Sequence, residues 1–406
     1  MHPPWPSWAQ LVSRTAATVY CNVATSSPLL NVVKQGILEE LDSDAMSCEP
    51  WKTTEYWMSQ TRDILSQLLG ITPSTLTITH NTTQGLQLVL NGLRWNHHEE
   101  ILLSSNEHAS AIVPSLAIRE RYGVTVRVVD IDQHRSSSNL LDYLESSVGS
   151  STRLLVISHV TWNTGQQRDL TTLCQWARRH GIKTLIDGAQ GMGHVTMNQL
   201  LTHGVCDAYA FSGHKWLCGP PGTGALWIHP SWVEELWSSQ SGSTGITAFS
   251  FMGLVQWQAG AQRFESSTRN AAILAGWYKG LQYIQRWGLA LVNQRIMQLS
   301  QTFFHQVYHC TTLSQQYAFL GDAGIITMVA RSSPNTWDPR PMMMALRQKG
   351  IICRVIGRPH GLRFSLHAFN TTQEIVRVVQ DLAWCLKQLP SISETRSNTL
   401  SDWWTE

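Results

Sequence analysis

From about residue 54 to residue 230, short apolar runs alternate with longer segments whose apolar residues recur every three or four positions. "TLTITH" alternates along its length and is rich in Thr and Ile, as a strand is. "TTEYWMSQTRDILSQLLG" has helical spacing and stops at Gly70, a residue suited to ending a helix. The helix-like segments continue with "TTQGLQLVLNGL", "SAIVPSLAIRERYG", "NLLDYLESSV" and "LTTLCQWARRHG". Between them lie the strand-like "EILLSS", "TVRVVDID", "RLLVISHV" and "KTLIDGA". Short apolar strands separated by charged amphipathic helices predict βαβ units and a mostly parallel sheet.

After Ala208 the rhythm changes. "AYAFSG" and "GALWIH" are strands set closer together, and "SSQSGSTGIT" interrupts the pattern. A long helical segment begins near residue 270, followed by candidate strands "AGIITMVA", "GIICRVI" and "LRFSLHA" and a closing helix, "TTQEIVRVVQDLAWCLKQL". The expected plan is a large α/β domain over residues 20–265 and a smaller α+β domain over 266–388. Residues 1–19 join the small domain, and the polar tail 389–406 is expected to fray. No internal repeat is present.

Composition narrows the class. The chain has 406 residues, 43% of them hydrophobic, and a net charge of +2, which together describe a globular protein. It has no lysine- or arginine-rich stripe of the kind nucleic-acid binding needs. Cysteines 21, 48, 174, 206, 218, 310, 353 and 385 are scattered with no CxxC pair. That spacing predicts free thiols in a reducing compartment rather than a zinc site or a disulfide framework. No run approaches the length of a membrane span, and the first twenty residues lack an apolar signal region. A cytoplasmic protein without a metal is expected.

The chemistry gathers at strand ends. In open α/β sheets, ligands bind beyond the carboxyl ends of the strands. Three polar clusters fall there: "SSNEHAS" after "ILL", "DGAQG" after "KTLI", and "SGHK" after "AYAF". They carry His108, Asp187, Gln190, Ser212, His214 and Lys215. Each alone is unremarkable; an aspartate after a strand often caps the next helix. Together they suit one cofactor. A desolvated lysine is a nucleophile toward carbonyls, and pyridoxal phosphate (PLP) needs such a lysine plus an acid for its ring nitrogen. Asp187 suits that second task, and His108 could stack on the ring. "NTTQG", between a strand and a helix, offers Thr83 and Gln84 with backbone N–H groups at a helix N-terminus, a natural anion site.

"IDGAQ", followed 28 residues after its aspartate by the lysine of "SGHK", resembles the class V aminotransferase family of fold-type I PLP enzymes. The likeness spans roughly residues 20–385. It implies an α/β fold with a mostly parallel seven-stranded sheet plus a smaller α+β domain. Within the family, "SHVTWNTGQ", "AFSGHKW" and "QRFESST" resemble the cyanobacterial cysteine/cystine C–S lyases. The resemblance implies that Lys215 binds the cofactor and moves the proton at the substrate α-carbon, with His108 and Asp187 completing the catalytic set. Gln190 would meet the ring 3-oxygen, and Thr83, Ser212 and His214 the phosphate. Thr268 matches a phosphate ligand supplied by a second subunit, which implies a homodimer.

In "CRVIGRPHGLRFSLHAFN", Arg363 matches the clamp for the substrate α-carboxylate, and Arg354 is expected to grip the distal carboxylate of cystine. Trp162 stands where desulfurases carry Asn. Trp257, six residues before Arg263, resembles a lyase tryptophan near the substrate entrance, although packing explains a tryptophan there equally well. The loop "VIGRPHG" lacks the cysteine that desulfurases use to attack sulfur, and Cys310 has no matching loop motif. These departures favour α,β-elimination of cysteine or cystine to pyruvate. The alternatives are a desulfurase giving alanine, an epimerase-like enzyme, and a binding protein that has lost turnover. A protein that accepts the released sulfur would be a further partner.

Overall fold

The computed structural model describes residues 11–12, 18–44, 49–131, 137–197, 199–240, 242–332 and 337–388. Cys48 and the tail 389–406 lie outside the described residues. The strands in chain order are β1 (Val19–Tyr20), β2 (Leu76–Thr79), β3 (Glu100–Ser104), β4 (Thr125–Val129), β5 (Thr152–Ser158), β6 (Lys183–Asp187), β7 (Ala208–Ser212) and β8 (Gly224–Ile228). They continue with β9 (Ile246–Phe249), β10 (Val255–Trp257), β11 (Tyr317–Leu320), β12 (Ile325–Ala330), β13 (Ile351–Ile352), β14 (Arg354–Gly357) and β15 (His360–Ser365).

A seven-stranded sheet runs in the order β2–β8–β7–β6–β5–β3–β4. β3, β4, β5, β6 and β7 are mutually parallel, and β8 runs against both β7 and β2. The inner strands are apolar on both faces because each face is covered: β6, β7 and β8 are buried almost throughout. β4 closes one edge, and its Val128 is exposed. Gly85 lets the helix Thr82–Gly92 lie close on β7. A Cβ there would sit 2.8 Å from the Ala210 Cβ, so a larger residue would push the helix N-terminus off the sheet.

The smaller unit is an antiparallel sheet, β11–β12–β15–β14, covered by the helices Leu289–His309, Arg340–Gln348 and Thr372–Gln388. Here the packing departs from the expected division at residue 265. The helix Ala271–Trp287 buries Leu274, Trp277, Leu281 and Ile284 in the core of the large sheet. The small-domain core begins one helix later, with Leu299, Phe303 and Val307. What reads as one helical segment is two, broken at Gly288, whose φ of 80° a side chain would resist. At the other end, Val19 and Cys21 belong to the small-domain core, and β1 pairs with β13.

Two other expectations change. "GIICRVI" is two strands, not one: β13 pairs with β1, and β14 pairs with β15. The Ser/Gly-rich interruption leads into a hairpin, β9–β10, whose apolar residues Phe249, Phe251, Met252 and Leu254 are exposed. Residues 22–27 then run between the two cores as a strap. Ala24 N–H donates to Ser365 on the small-domain side, and Ser27 N–H donates to the His214 carbonyl on the other.

Candidate active site

The register of the sheet brings the strand ends together. Ser158 at the end of β5 lies opposite Asp187 at the end of β6, and Asp187 lies opposite Ala210 of β7. Lys215 follows β7 by three residues. Burial lowers its pKa to about 8; Asp187 opposes that shift, and Arg363 and Arg354 add to it. Asp187 is buried, accepts a bond from the Ala189 N–H at 2.9 Å, and is raised to about 6. Burial is the main cause; Glu107 also raises it, and Lys215 lowers it.

Glu107, which precedes His108, is the buried anchor of this strand end. Its carboxylate accepts from Ser104 Oγ at 2.7 Å, Ser158 N–H at 2.9 Å, Arg168 at 2.8 Å and, through a short bond, Ser158 Oγ. His108 caps the helix Ala109–Tyr122: its Nδ1 accepts the Ser110 N–H at 3.1 Å, which puts the ring proton on Nε2. Solvent reaches the ring, yet the surrounding protein and then Lys215, Arg363 and Arg354 lower its pKa to about 4. The imidazole is neutral at working pH. Trp162 meets it edge-on, with centroids 5.5 Å apart.

Ser212 and Thr82 hydroxyls lie 2.6 Å apart, and the Thr82 N–H donates to Ser212 Oγ at 3.2 Å. His214 is lowered to about 4 by burial and by Lys215, and its buried Nδ1 has no hydrogen-bond partner. Thr83 occupies the first turn of the helix Thr82–Gly92 beside them. Gln84 differs from expectation. Its N–H is capped by Asn81 Oδ1 at 2.9 Å, and its side chain bridges the His80 N–H and Gln240. Helix capping has used the donor that the sequence pattern left open.

Gln190 is also more constrained than expected. Its Nε2 donates to the Ala24 carbonyl at 2.8 Å, and its Oε1 accepts the Trp216 indole N–H at 2.8 Å. An amide nitrogen carries two hydrogens, so one remains to donate elsewhere. Trp216 is itself stacked on His194, with centroids 3.7 Å apart.

The arginines face each other across β14 and β15. Arg363 is buried and donates to the Trp162 carbonyl at 2.6 Å and to Thr25 Oγ1 at 2.8 Å, and its Nε has no partner. Burial, followed by Arg354, lowers its pKa to about 9. Arg354 donates to the same Thr25 oxygen at 3.0 Å. Lys215, His108, Asp187 and both arginines thus form one electrostatic cluster. Thr268 is exposed outside it, and Trp257 is half-buried on the β9–β10 hairpin.

These residues fit PLP. The buried, orphaned His214 nitrogen suits an acceptor such as a phosphate oxygen, Ser212 two residues earlier meets a helix N-terminus at Thr82, and the buried pair Lys215 and Asp187 suits an aldehyde and a ring nitrogen. The family model described as "Aminotransferase class-V" matches residues 20–378. The chain belongs to that family. It is a PLP-dependent enzyme of fold type I. A cysteine desulfurase from Salmonella choleraesuis (strain SC-B67) is 30% identical over 324 residues, covering 76% of this chain and 77% of the relative. The cystine C–S lyase C-DES, solved with its reaction product cysteine persulfide, is 29% identical, with a TM-score of 0.82 over 91% of this chain and 98% of that one. A mutant of C-DES with glycine covalently linked to its PLP cofactor is 28% identical, with a TM-score of 0.81 over 91% and 97%.

The residues that sequence reasoning missed are Thr25, Glu107 with Arg168, and Trp216. Glu107 stood next to a chosen histidine. Thr25 lies in "CNVATSSP", a small polar stretch with no motif to single it out.

Proposed function

We propose that the protein is a carbon–sulfur lyase that cleaves cysteine and cystine by α,β-elimination. Cystine and water would give pyruvate, ammonia and cysteine persulfide; cysteine and water would give pyruvate, ammonia and sulfide. PLP, when bound, supplies the electron sink that stabilises negative charge at the substrate α-carbon. Lys215 Nζ takes the α-proton. Its lowered pKa leaves a useful share of the amine neutral near pH 8. Asp187 holds a proton at the ring nitrogen, and His108 covers the ring face without adding charge. Thr83, Ser212 and His214 bind the phosphate, and Gln190 offers its spare hydrogen to the ring 3-oxygen. Arg363 takes the α-carboxylate through its fork, a geometry lysine cannot reproduce. Arg354 takes the distal carboxylate of cystine, with Trp162 beside it and Trp257 toward the entrance.

The observation that carries elimination over desulfuration is the state of the thiols. Among the described residues, Cys21, Cys174, Cys206, Cys218, Cys353 and Cys385 are buried, and Cys310 packs half-buried on the small-domain core. Burial raises Cys218, three residues from Lys215, to about 11, and Cys353, next to Arg354, to about 12. Thiols so reluctant to ionise make poor nucleophiles toward sulfur. The desulfurase reading draws on the Salmonella relative. Product analysis with cysteine and cystine decides: pyruvate supports the lyase, and alanine with protein-bound sulfur overturns it.

The same reading makes the enzyme a cytoplasmic homodimer with large and small domains. Among the described residues no helix is long and apolar enough to cross a membrane. Thr268 is exposed, as a residue serving a second subunit must be. Phe251 and Met252, 99% and 94% exposed on the β9–β10 hairpin, are apolar surface that a second copy would cover. A sulfur-acceptor protein would take the persulfide.

A further inference from the structure

We infer that Thr25 is a specificity-determining position: its hydroxyl locks Arg354 to Arg363 as one receptor for a ligand with two carboxylates. Only the identity of that ligand, cystine, rests on the lyase reading above.

Arg354 and Arg363 are directly opposed in the β14–β15 ladder, where like charges repel. Thr25 Oγ1 accepts from both, at 3.0 Å and 2.8 Å, and donates to Asn22 Oδ1 at 2.8 Å. A hydroxyl has two lone pairs and one proton, so every valence of this group is committed and its rotor is fixed. Asn22 is held in turn by its bridge to Ser365, the second residue beyond Arg363. The hydrogen-bond acceptors of both guanidinium groups are neutral oxygens: the Thr25 hydroxyl and the Trp162 carbonyl.

A neutral lock has a particular effect. A carboxylate in this place would cancel the charge and compete with substrate. An apolar side chain would leave two cations with no shared acceptor, and Arg354, which is half-buried, would regain its rotamers. The hydroxyl holds both guanidinium groups without spending their attraction for anions. Such preorganisation removes an ordering cost from binding. The benefit falls on ligands that engage both arginines; a single carboxylate on Arg363 gains little.

The test compares Thr25→Val, which keeps shape and loses the acceptor, with Thr25→Ser, which keeps the hydroxyl. Calorimetry on the PLP-loaded protein uses suberate, a dicarboxylate with a spacer as long as that of cystine, and octanoate, its single-carboxylate counterpart. Neither has an amine to react. Wild type should bind suberate about tenfold more tightly than octanoate, a preference lost in Thr25→Val and kept in Thr25→Ser. In turnover, Thr25→Val should raise KM for cystine about tenfold more than it raises KM for cysteine, and Thr25→Ser should stay close to wild type with both. Should Thr25→Val fail to load PLP, Thr25→Ala carries the same expectation. The inference is overturned if wild type shows no suberate preference, if the preference survives loss of the hydroxyl, or if Thr25→Ser is as impaired as Thr25→Val. If the suberate result holds but wild type forms no pyruvate from cystine, the lyase reading fails and the receptor stands.

Discussion

The two ends of the active site are built in opposite ways. The lysine end comes from loops that follow β3, β6 and β7, parallel strands of a single sheet in which β5 separates β3 from β6. The arginine end joins β14 and β15 of the small domain to Thr25, more than three hundred residues earlier in the chain. The first end holds its groups by burial and short local bonds, such as the Asp187–Ala189 contact. The second holds two like charges together through one hydroxyl from a distant strap. The lysine end is suited to one chemistry, while the arginine end, under the receptor proposal, would change its preferred ligand through a single side chain.

Mutations should separate the two ends. Lys215→Ala has the largest expected effect: pyruvate formation falls by at least about 10⁴-fold, since proton transfer and cofactor attachment are both lost. PLP should still bind noncovalently, visible as retained cofactor absorbance after gel filtration. Near-normal turnover would remove Lys215 from the chemistry. Arg363→Lys comes next, with kcat/KM for cysteine and cystine both reduced by about a hundredfold, because a point charge replaces the bidentate fork. Arg354→Ala should cost about tenfold with cystine and little with cysteine. Equal losses with both substrates would erase the distinction between the arginines.

The smallest expected effect is one of stability. Asp187 has a folded pKa raised to about 6 from the usual value of 3.8, so the folded cofactor-free protein binds its proton first. Its contribution therefore rises as pH falls from about 6 to 3.8, and is absent above that window. Asp187→Asn should remove this dependence and stabilise the cofactor-free protein at pH 7 by about 3 kcal/mol, measured by urea unfolding. The same change should cripple turnover, since asparagine cannot hold the charge that a protonated ring nitrogen needs.

The contrast between the two ends also explains what could be read from the sequence. Asp187, His108 and Lys215 sit at the ends of short apolar strands, and strand periodicity is a local signal. The mostly parallel order of the large sheet follows from the same pattern, while its count of seven strands was implied by the family resemblance. Arg354 and Arg363 were visible as residues, but the acceptor that unites them was not, because it depends on a pairing between the two ends of the chain. Gln84 shows the converse limit. Its place at a helix start was legible, yet whether its N–H is free depends on the Asn81 side chain. The split of "GIICRVI" has a similar origin: β13 leaves the ladder for β1, a partner whose distance in sequence hides it.

The strap has a consequence for synthesis. Thr25 leaves the ribosome early, but the two guanidinium groups it holds emerge only after most of the chain has been made. The catalytic cleft is therefore among the last parts of the molecule that can be completed. A nascent chain halted before residue 354 could already carry Lys215 and Asp187, yet it would lack both guanidinium groups, the pair proposed to hold the substrate.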